Sequence, residues 1–248
     1  MTNIPSFLLL LSGWLIALAG VFMIVLYTFL LTVASGRAGL SPRMRAVVPL
    51  LSGGGLAAWF ALALVAARAI HLAPMAIRRP LALTLVFAPF LLAIACFSAS
   101  RSFRLVNAAT PSSWLIRAQL YRVVGFVFLP FLYFGALPAA FALPAAIGDM
   151  ITGIASPFVA SAIDGHKRGA FGWAVVWNLF GIVDLIAAPT AAILLRANLV
   201  NIEPLALVGF FVGPPLGILT HLLSLRNLTA TRSASRSATG SELCATPS

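Results

Sequence analysis

SSWLIRAQLYRVVGFVFLPFLYFGALPAAFALPAAIGDMITGIASPFVASAIDGHKRGAFGWAVVWNLFGIVDLIAAPTAAILLRA, residues 112–197, contains three strongly apolar spans with Arg122, Asp149 and Asp184 in their interiors. Each span is long enough to cross a hydrocarbon layer ~30 Å thick as a helix rising about 1.5 Å per residue. Ionisable groups at such depth cost roughly 2.5–3.5 kcal/mol each on insertion scales, so they sit against protein or water and are functional candidates by default. The stretch reads as part of a transmembrane helix bundle with a polar interior.

The rest of the chain agrees. Of its 248 residues, 61% are hydrophobic and 8% charged, whereas soluble domains carry about 25% charged residues. A soluble domain of this size has too little interior to hide so much apolar surface. The formal charge of +11 is spread singly or in pairs between apolar spans. That is the pattern of membrane topology signals and not of a nucleic-acid-binding face. The expected partners are the lipid bilayer and a small ion or solute, with no nucleic acid; oligomeric state is not legible. Cys96 in an apolar span and Cys244 in the tail imply no disulfide framework. Residues 5–34 do not read as a cleaved signal peptide, because no basic region leads them and the apolar run is about twice a normal signal core. Fifteen arginines against one lysine, with abundant alanine, point to a GC-rich bacterial genome, and so to a multi-pass protein of the bacterial cytoplasmic (inner) membrane.

Seven spans are predicted, at about 5–33, 47–70, 80–98, 114–135, 144–163, 170–195 and 204–225, giving an all-α polytopic bundle over 1–225. Gly13, Ala17 and Gly20 form a small-residue stripe on span one, which we read as a packing face. Ser52-Gly53-Gly54-Gly55 near the start of span two is either an unwound segment or a close-packing site. Residues 99–111 are expected along the surface, and Thr110-Pro111-Ser112-Ser113 reads as a hydroxyl-capped helix start. Leu-Pro-Ala-Ala occurs at 137–140 and again at 143–146, predicting a stiff connection between spans four and five. Gly213-Pro214-Pro215 is expected to interrupt span seven. Residues 226–248, basic and rich in Ser, Thr and Ala, read as a disordered cytoplasmic tail.

At 100° per residue, Asp149, Gly153, Ser156 and Ala160 share a face of span five, with the carboxylate at its outer end. Trp173, Trp177, Gly181 and Asp184 share a face of span six, and Asn178 adjoins it. Gln119 and Arg122 lie about 60° apart on span four, and Arg117 is near enough to the headgroups to snorkel. We take Asp149, Asp184, Arg122, Gln119, Asn178 and Trp177 as a candidate ion- or substrate-binding cluster between spans four, five and six. Two readings of it stay open: a buried ion pair that holds the helices in register, or a proton or cation site whose second carboxylate has no obvious partner. The histidines are weaker candidates. His71 and His166 belong near opposite surfaces, and His221 near the inner end of span seven. No metal, haem or other cofactor is expected, and no nucleophile motif supports an enzyme. The leading reading is a small transporter or channel-like protein; the alternative is a non-catalytic membrane partner or assembly factor.

The segments RAQLYRVVGFVFL and GALPAAFALPAAIGD resemble an uncharacterised family of bacterial polytopic integral membrane proteins, over roughly residues 115–160. The resemblance implies Gln119, Arg122, Gly148 and Asp149 as family features and brings no activity.

With the amino terminus outside, inner segments hold twelve basic residues and outer ones four (Arg68, Arg78, Arg79 and Arg196). Excluding Arg117 and Arg122 leaves ten against four. The positive-inside bias then places the carboxyl terminus in the cytoplasm. A reporter fused after Ser248 is expected to be active only as a cytoplasmic fusion; a periplasmic signal there contradicts the orientation.

Overall fold

A computed structural model describes residues 4–194 and 204–244. Among these residues the secondary structure is helical, with no strand, and seven stretches are long and apolar enough to cross a membrane. Helices α1 (Ser6–Arg37), α2 (Pro42–Leu72) and α3 (Met75–Ala99) supply the first three spans, and α4 (Arg101–Ala108) is a short connection. The fourth span, Ser112–Tyr133, is α5 (Ser112–Ala118), a 3₁₀ segment (Gln119–Val127) and α6 (Phe128–Tyr133). The fifth, Ala139–Asp164, is α7 (Ala139–Leu143), a π turn (Pro144–Gly148) and α8 (Asp149–Asp164). Helices α9 (Ala170–Leu194) and α10 (Pro204–Cys244) carry the last two. The protein is an all-α polytopic membrane bundle.

The outside of the bundle is hydrocarbon. Phe7, Leu10, Trp14, Leu18, Phe22, Val25 and Phe29 are exposed along α1 at helical spacing, a stripe suited to lipid. Inward-facing glycines let backbones approach closely. A methyl at Gly20 would overlap the Phe60 ring, and one at Gly53 would overlap Thr28. The glycine run of span two is therefore a close-packing site in an unbroken helix, through Gly53; Gly54 and Gly55 face open space.

The buried interior is sorted by depth. Toward the 134–138 turn it is apolar, built on Phe128, Phe131, Phe141, Phe210 and Phe211. Phe128 meets Phe141 edge-on at 5.8 Å between centroids, a favoured aromatic geometry. The other half runs toward the 38–41 and 165–169 turns, which Arg37, Arg43, Arg45, Lys167 and Arg168 flank or occupy; we call this the basic end. Arg37 lies over the Trp114 ring at 4.6 Å, Arg226 over Phe97 at 4.8 Å and Arg232 over Phe171 at 4.3 Å. Such cation–aromatic pairs suit a membrane interface, where one side of the ring is wet. The Asn227 amide donates to the carbonyls of Asn107 (2.7 Å) and Thr110 (2.9 Å) and accepts from the Asn107 amide (2.9 Å), stapling α4 to α10.

Several boundaries differ from expectation, each for a local reason. Span five starts at Ala139 and not at 144: the second Leu-Pro-Ala-Ala lies inside it, where the π turn absorbs the missing N–H of Pro144. Span seven is not interrupted at Gly213-Pro214-Pro215; α10 carries both prolines, leaving the carbonyls of Phe210 and Phe211 without an i+4 donor. Nor does span seven end at 225. Asn227 and Leu228 are buried, and the helix continues through Cys244 across residues expected to be disordered. Within residues 99–111, α4 (Arg101–Ala108) buries Val106 and Asn107. The Thr110 hydroxyl donates back to Val106 and caps nothing, so α5 starts without a side-chain cap. Arg196 lies outside the described residues.

A methyl at Gly153 of α8 would sit 2.7 Å from the Val123 backbone nitrogen, which cannot yield as a side chain does. Gly153→Ala is expected to lower stability in detergent by ~1–3 kcal/mol through overpacking. Gly54→Ala, facing open space, is expected to leave it unchanged or slightly raised. Denaturant unfolding followed by tryptophan fluorescence checks both.

Candidate functional site

Span four changes its winding where it carries its charge. Val123, Val124 and Gly125 are weak helix formers in succession, and the chain here is 3₁₀ over Gln119–Val127. With three residues per turn, side chains at i and i+3 eclipse. Gln119, Arg122, Gly125 and Phe128 therefore stand in one column, which is the buried column of the span. The 60° separation expected between Gln119 and Arg122 on an α-helix is removed. The π turn before Asp149 widens span five at the same level. Local departures of this kind in long helices recur at functional sites.

The four charged or titratable groups that meet at the centre lie in the interiors of their spans. Arg122 stands ten residues past Ser112 and eleven short of Tyr133, and Asp149 stands ten past Ala139 and fifteen short of Asp164. Asp149 heads its small-residue stripe, and the earlier start of span five puts it deeper than a start at 144 would. Asp184 lies fourteen residues into span six and seven short of Ala191, and His221 fifteen into span seven and twelve short of Ser233.

Arg122 is 2% exposed and joins all of them. Its Nε and one terminal nitrogen both lie 2.6 Å from Asp149 Oδ1, and the same terminal nitrogen donates to Asp184 Oδ2 at 2.5 Å. Two carboxylate oxygens on one nitrogen at 2.6 and 2.5 Å are no more than 5.1 Å apart. The other terminal nitrogen faces His221 Nε2 at 3.2 Å. A guanidinium only donates, so Nε2 accepts and the imidazole proton is on Nδ1. That proton goes to Asn178 Oδ1 at 3.0 Å, and the Asn178 amide donates to Ala174 O at 2.7 Å. His221 is held as a neutral ring in one tautomer. The Trp177 ring lies against it at 4.9 Å, and Trp177 Nε1 donates to Thr152 O at 3.1 Å.

Three glycines make room for this arrangement. A methyl at Gly148 would overlap the Asp184 carboxylate, and one at Gly181 would overlap the His221 ring. One at Gly125 would lie 2.5 Å from Asp149 Cβ. The charge count is uneven: two carboxylates face one guanidinium and a neutral imidazole. The Asp149 side chain is 21% exposed and that of Asp184 7%. Two clefts reach them from the flanks. One, enclosing about 460 Å³ with its open mouth, is lined by Tyr121, Arg122, Asp149, Asp184, Phe141 and Phe210 among others. The other, about 580 Å³, lies toward spans one and two and includes Met23, Phe60, Arg122 and Asp149.

Of the six residues singled out from sequence, Arg122, Asp149 and Asp184 meet directly. Asn178 and Trp177 join them through His221. Gln119 is one 3₁₀ turn away, donating to Gly217 O at 3.5 Å, with Oε1 lacking a partner. Trp173 shares the face of Asp184 by angle but is 70% exposed, near the start of α9. Gly153 packs on span four, against the Val123 backbone, while Ala160 of the same face shares a cluster with Ile116 of span four and Ala174 and Trp177 of span six. Arg117 does not only snorkel: it pairs with Asp164 at 2.7 Å at the basic end. Sequence reasoning missed His221 as a member, having placed it near a surface. Its signal was the polar face Thr220, His221, Ser224 and Asn227, which continues past 225 and so puts His221 deep in its span. Among the described residues no three His, Cys, Asp or Glu side chains converge as metal ligands.

The chain matches a family model described as Domain of unknown function (DUF8737) over residues 79–229. No curated protein and no solved structure matches it. The matched stretch takes in spans three to six and most of span seven, and with them Arg122, Asp149, Asp184 and His221. It covers more than half of the 248 residues and encloses the 115–160 segment. The chain belongs to the DUF8737 family.

Proposed function

We propose that this integral membrane protein is a small transporter or channel-like protein of a bacterial cytoplasmic membrane, with its amino terminus outside. Asp149 and Asp184 form its intramembrane proton or cation site, and Arg122 is the fixed countercharge. One observation carries the reading: two carboxylates contact a single guanidinium nitrogen at mid-span, which leaves one negative charge uncompensated. Such a charge in the middle of a bilayer is costly unless a proton or cation neutralises it. A proton suits the geometry better than a metal ion, since Arg122 already takes one oxygen of each carboxylate and no third acidic ligand is near among the described residues. A site that gains and loses one charge is what coupling to a gradient requires.

A second reading is favoured by one feature. Arg122 bonds groups of spans five, six and seven from span four, so the same cluster ties four helices together. In a non-catalytic membrane partner or assembly factor, that tie would be its whole purpose.

Asp149→Asn and Asp184→Asn separate the two. Either single variant leaves one carboxylate with one guanidinium, so the charge balances and the fold is expected to persist. Under the transport reading, the pH-dependent ion flux of proteoliposomes falls by about tenfold or more in each. Unchanged flux per folded molecule, with lowered stability, would establish the structural reading.

A further inference from the structure

The sorting of the interior by depth bears on how the central site meets water, and the route inferred from it rests on Asp149 and Asp184 being the proton site proposed for the function. In the apolar half the only buried polar side chain among the described residues is Ser12, whose hydroxyl donates to Leu9 O of its own helix at 2.8 Å. Every other buried polar or charged side chain among them lies at the level of Arg122 or between it and the basic end.

Within the polar half these groups form a row down α10. Gly217, Thr220, His221, Ser224 and Asn227 recur at intervals of three and four, one face of the helix. The row begins beside Gln119 and ends at the Asn107–Asn227 staple, about 15 Å along the axis. Tyr27 joins it from span one, its hydroxyl 2.6 Å from that of Thr220. Serines and threonines in apolar helices usually satisfy themselves on the preceding turn, as Thr220 does with Leu216 O at 2.7 Å. Ser224 of the row does not. Its Oγ is buried with no protein partner, as are Gln119 Oε1 and Tyr121 Oη beside the row; of the five such atoms among the described residues, only Ser35 Oγ and Trp59 Nε1 lie away from it. Gln119 is 0% exposed and Ser224 1%. Buried polar groups in folded proteins are rarely left so, and a cluster of them along one line marks where water is accommodated.

We infer that this row, from Gln119 past Thr220 and Ser224 to Asn227, is the route by which the central carboxylates exchange a proton with the aqueous phase at the basic end. The phenylalanine-filled half is the seal against the opposite side. The flanking clefts do not serve as that route, because their walls are mostly hydrocarbon.

Cysteine accessibility in lipid vesicles tests the route without knowledge of the transported solute. In a background with Cys96→Ala and Cys244→Ser, Ser224→Cys probes the row, with Thr220→Cys as a second position should the first not fold. Ala63→Cys and Ala142→Cys, both fully buried in the apolar half, are the comparison. A small cationic thiosulfonate applied to both faces is expected to modify the row positions about tenfold faster or more, since reaction needs a wetted thiolate. Equal, slow rates at all positions overturn the inference. Should flux still depend on Asp149 and Asp184 in that case, the route fails and the site stands; if flux never depends on them, the site reading fails whatever the labelling shows.

Discussion

The Arg122 guanidinium sets what the rest of this bundle must do. A positive charge at mid-span is tolerable only if carboxylates reach it, and a planar fork with donors on three nitrogens can hold partners from three directions at once. Asp149, Asp184 and His221 occupy those directions, each from a different helix. The helices must then cross within a few ångströms of one another at one depth. Gly125, Gly148 and Gly181 are where they do so, each bare at the point where a side chain would meet the charged groups.

The irregular winding follows from the same demand. A regular α-helix would spread Gln119, Arg122, Gly125 and Phe128 over about half its circumference, and the 3₁₀ segment gathers them into one column. On span five, the π turn absorbs Pro144 and presents Asp149 on the first turn of α8. Span seven stays helical through Pro214 and Pro215, which carries His221 to the depth of Arg122. Two backbone departures and one helix unbroken by its prolines thus converge on one cluster. Regularity has been given up where the charges meet and kept elsewhere.

Much of this was legible in the amino-acid sequence, because lipid imposes a simple rule. Seven long apolar stretches can only be spans, and Arg122, Asp149 and Asp184 stood out by the cost of putting charge inside them. The glycine and serine face of span five was visible by helical arithmetic, and Gly153 on it packs against span four. What was not legible depended on registers that hydropathy does not encode. Ending span seven at 225 put His221 near a surface, and its packing against Trp177 and Arg122 shows its depth. Trp173 fits the face of Asp184 by angle, yet nothing covers it at that end of α9. The 3₁₀ segment has a faint signature in Val123-Val124-Gly125, and the π turn one in Pro144, but neither predicts its own hydrogen-bond pattern.

The central claim is that one guanidinium is the shared partner of two buried carboxylates, and stability in detergent tests it most directly. Arg122→Ala leaves both carboxylates unpaired, and a loss of about 3–5 kcal/mol is predicted. Adding Asp149→Asn and Asp184→Asn to that variant removes the stranded charges and is predicted to restore most of the loss. A cost below about 1 kcal/mol for Arg122→Ala, the range of an exposed ion pair, or no recovery in the triple variant, would contradict the account.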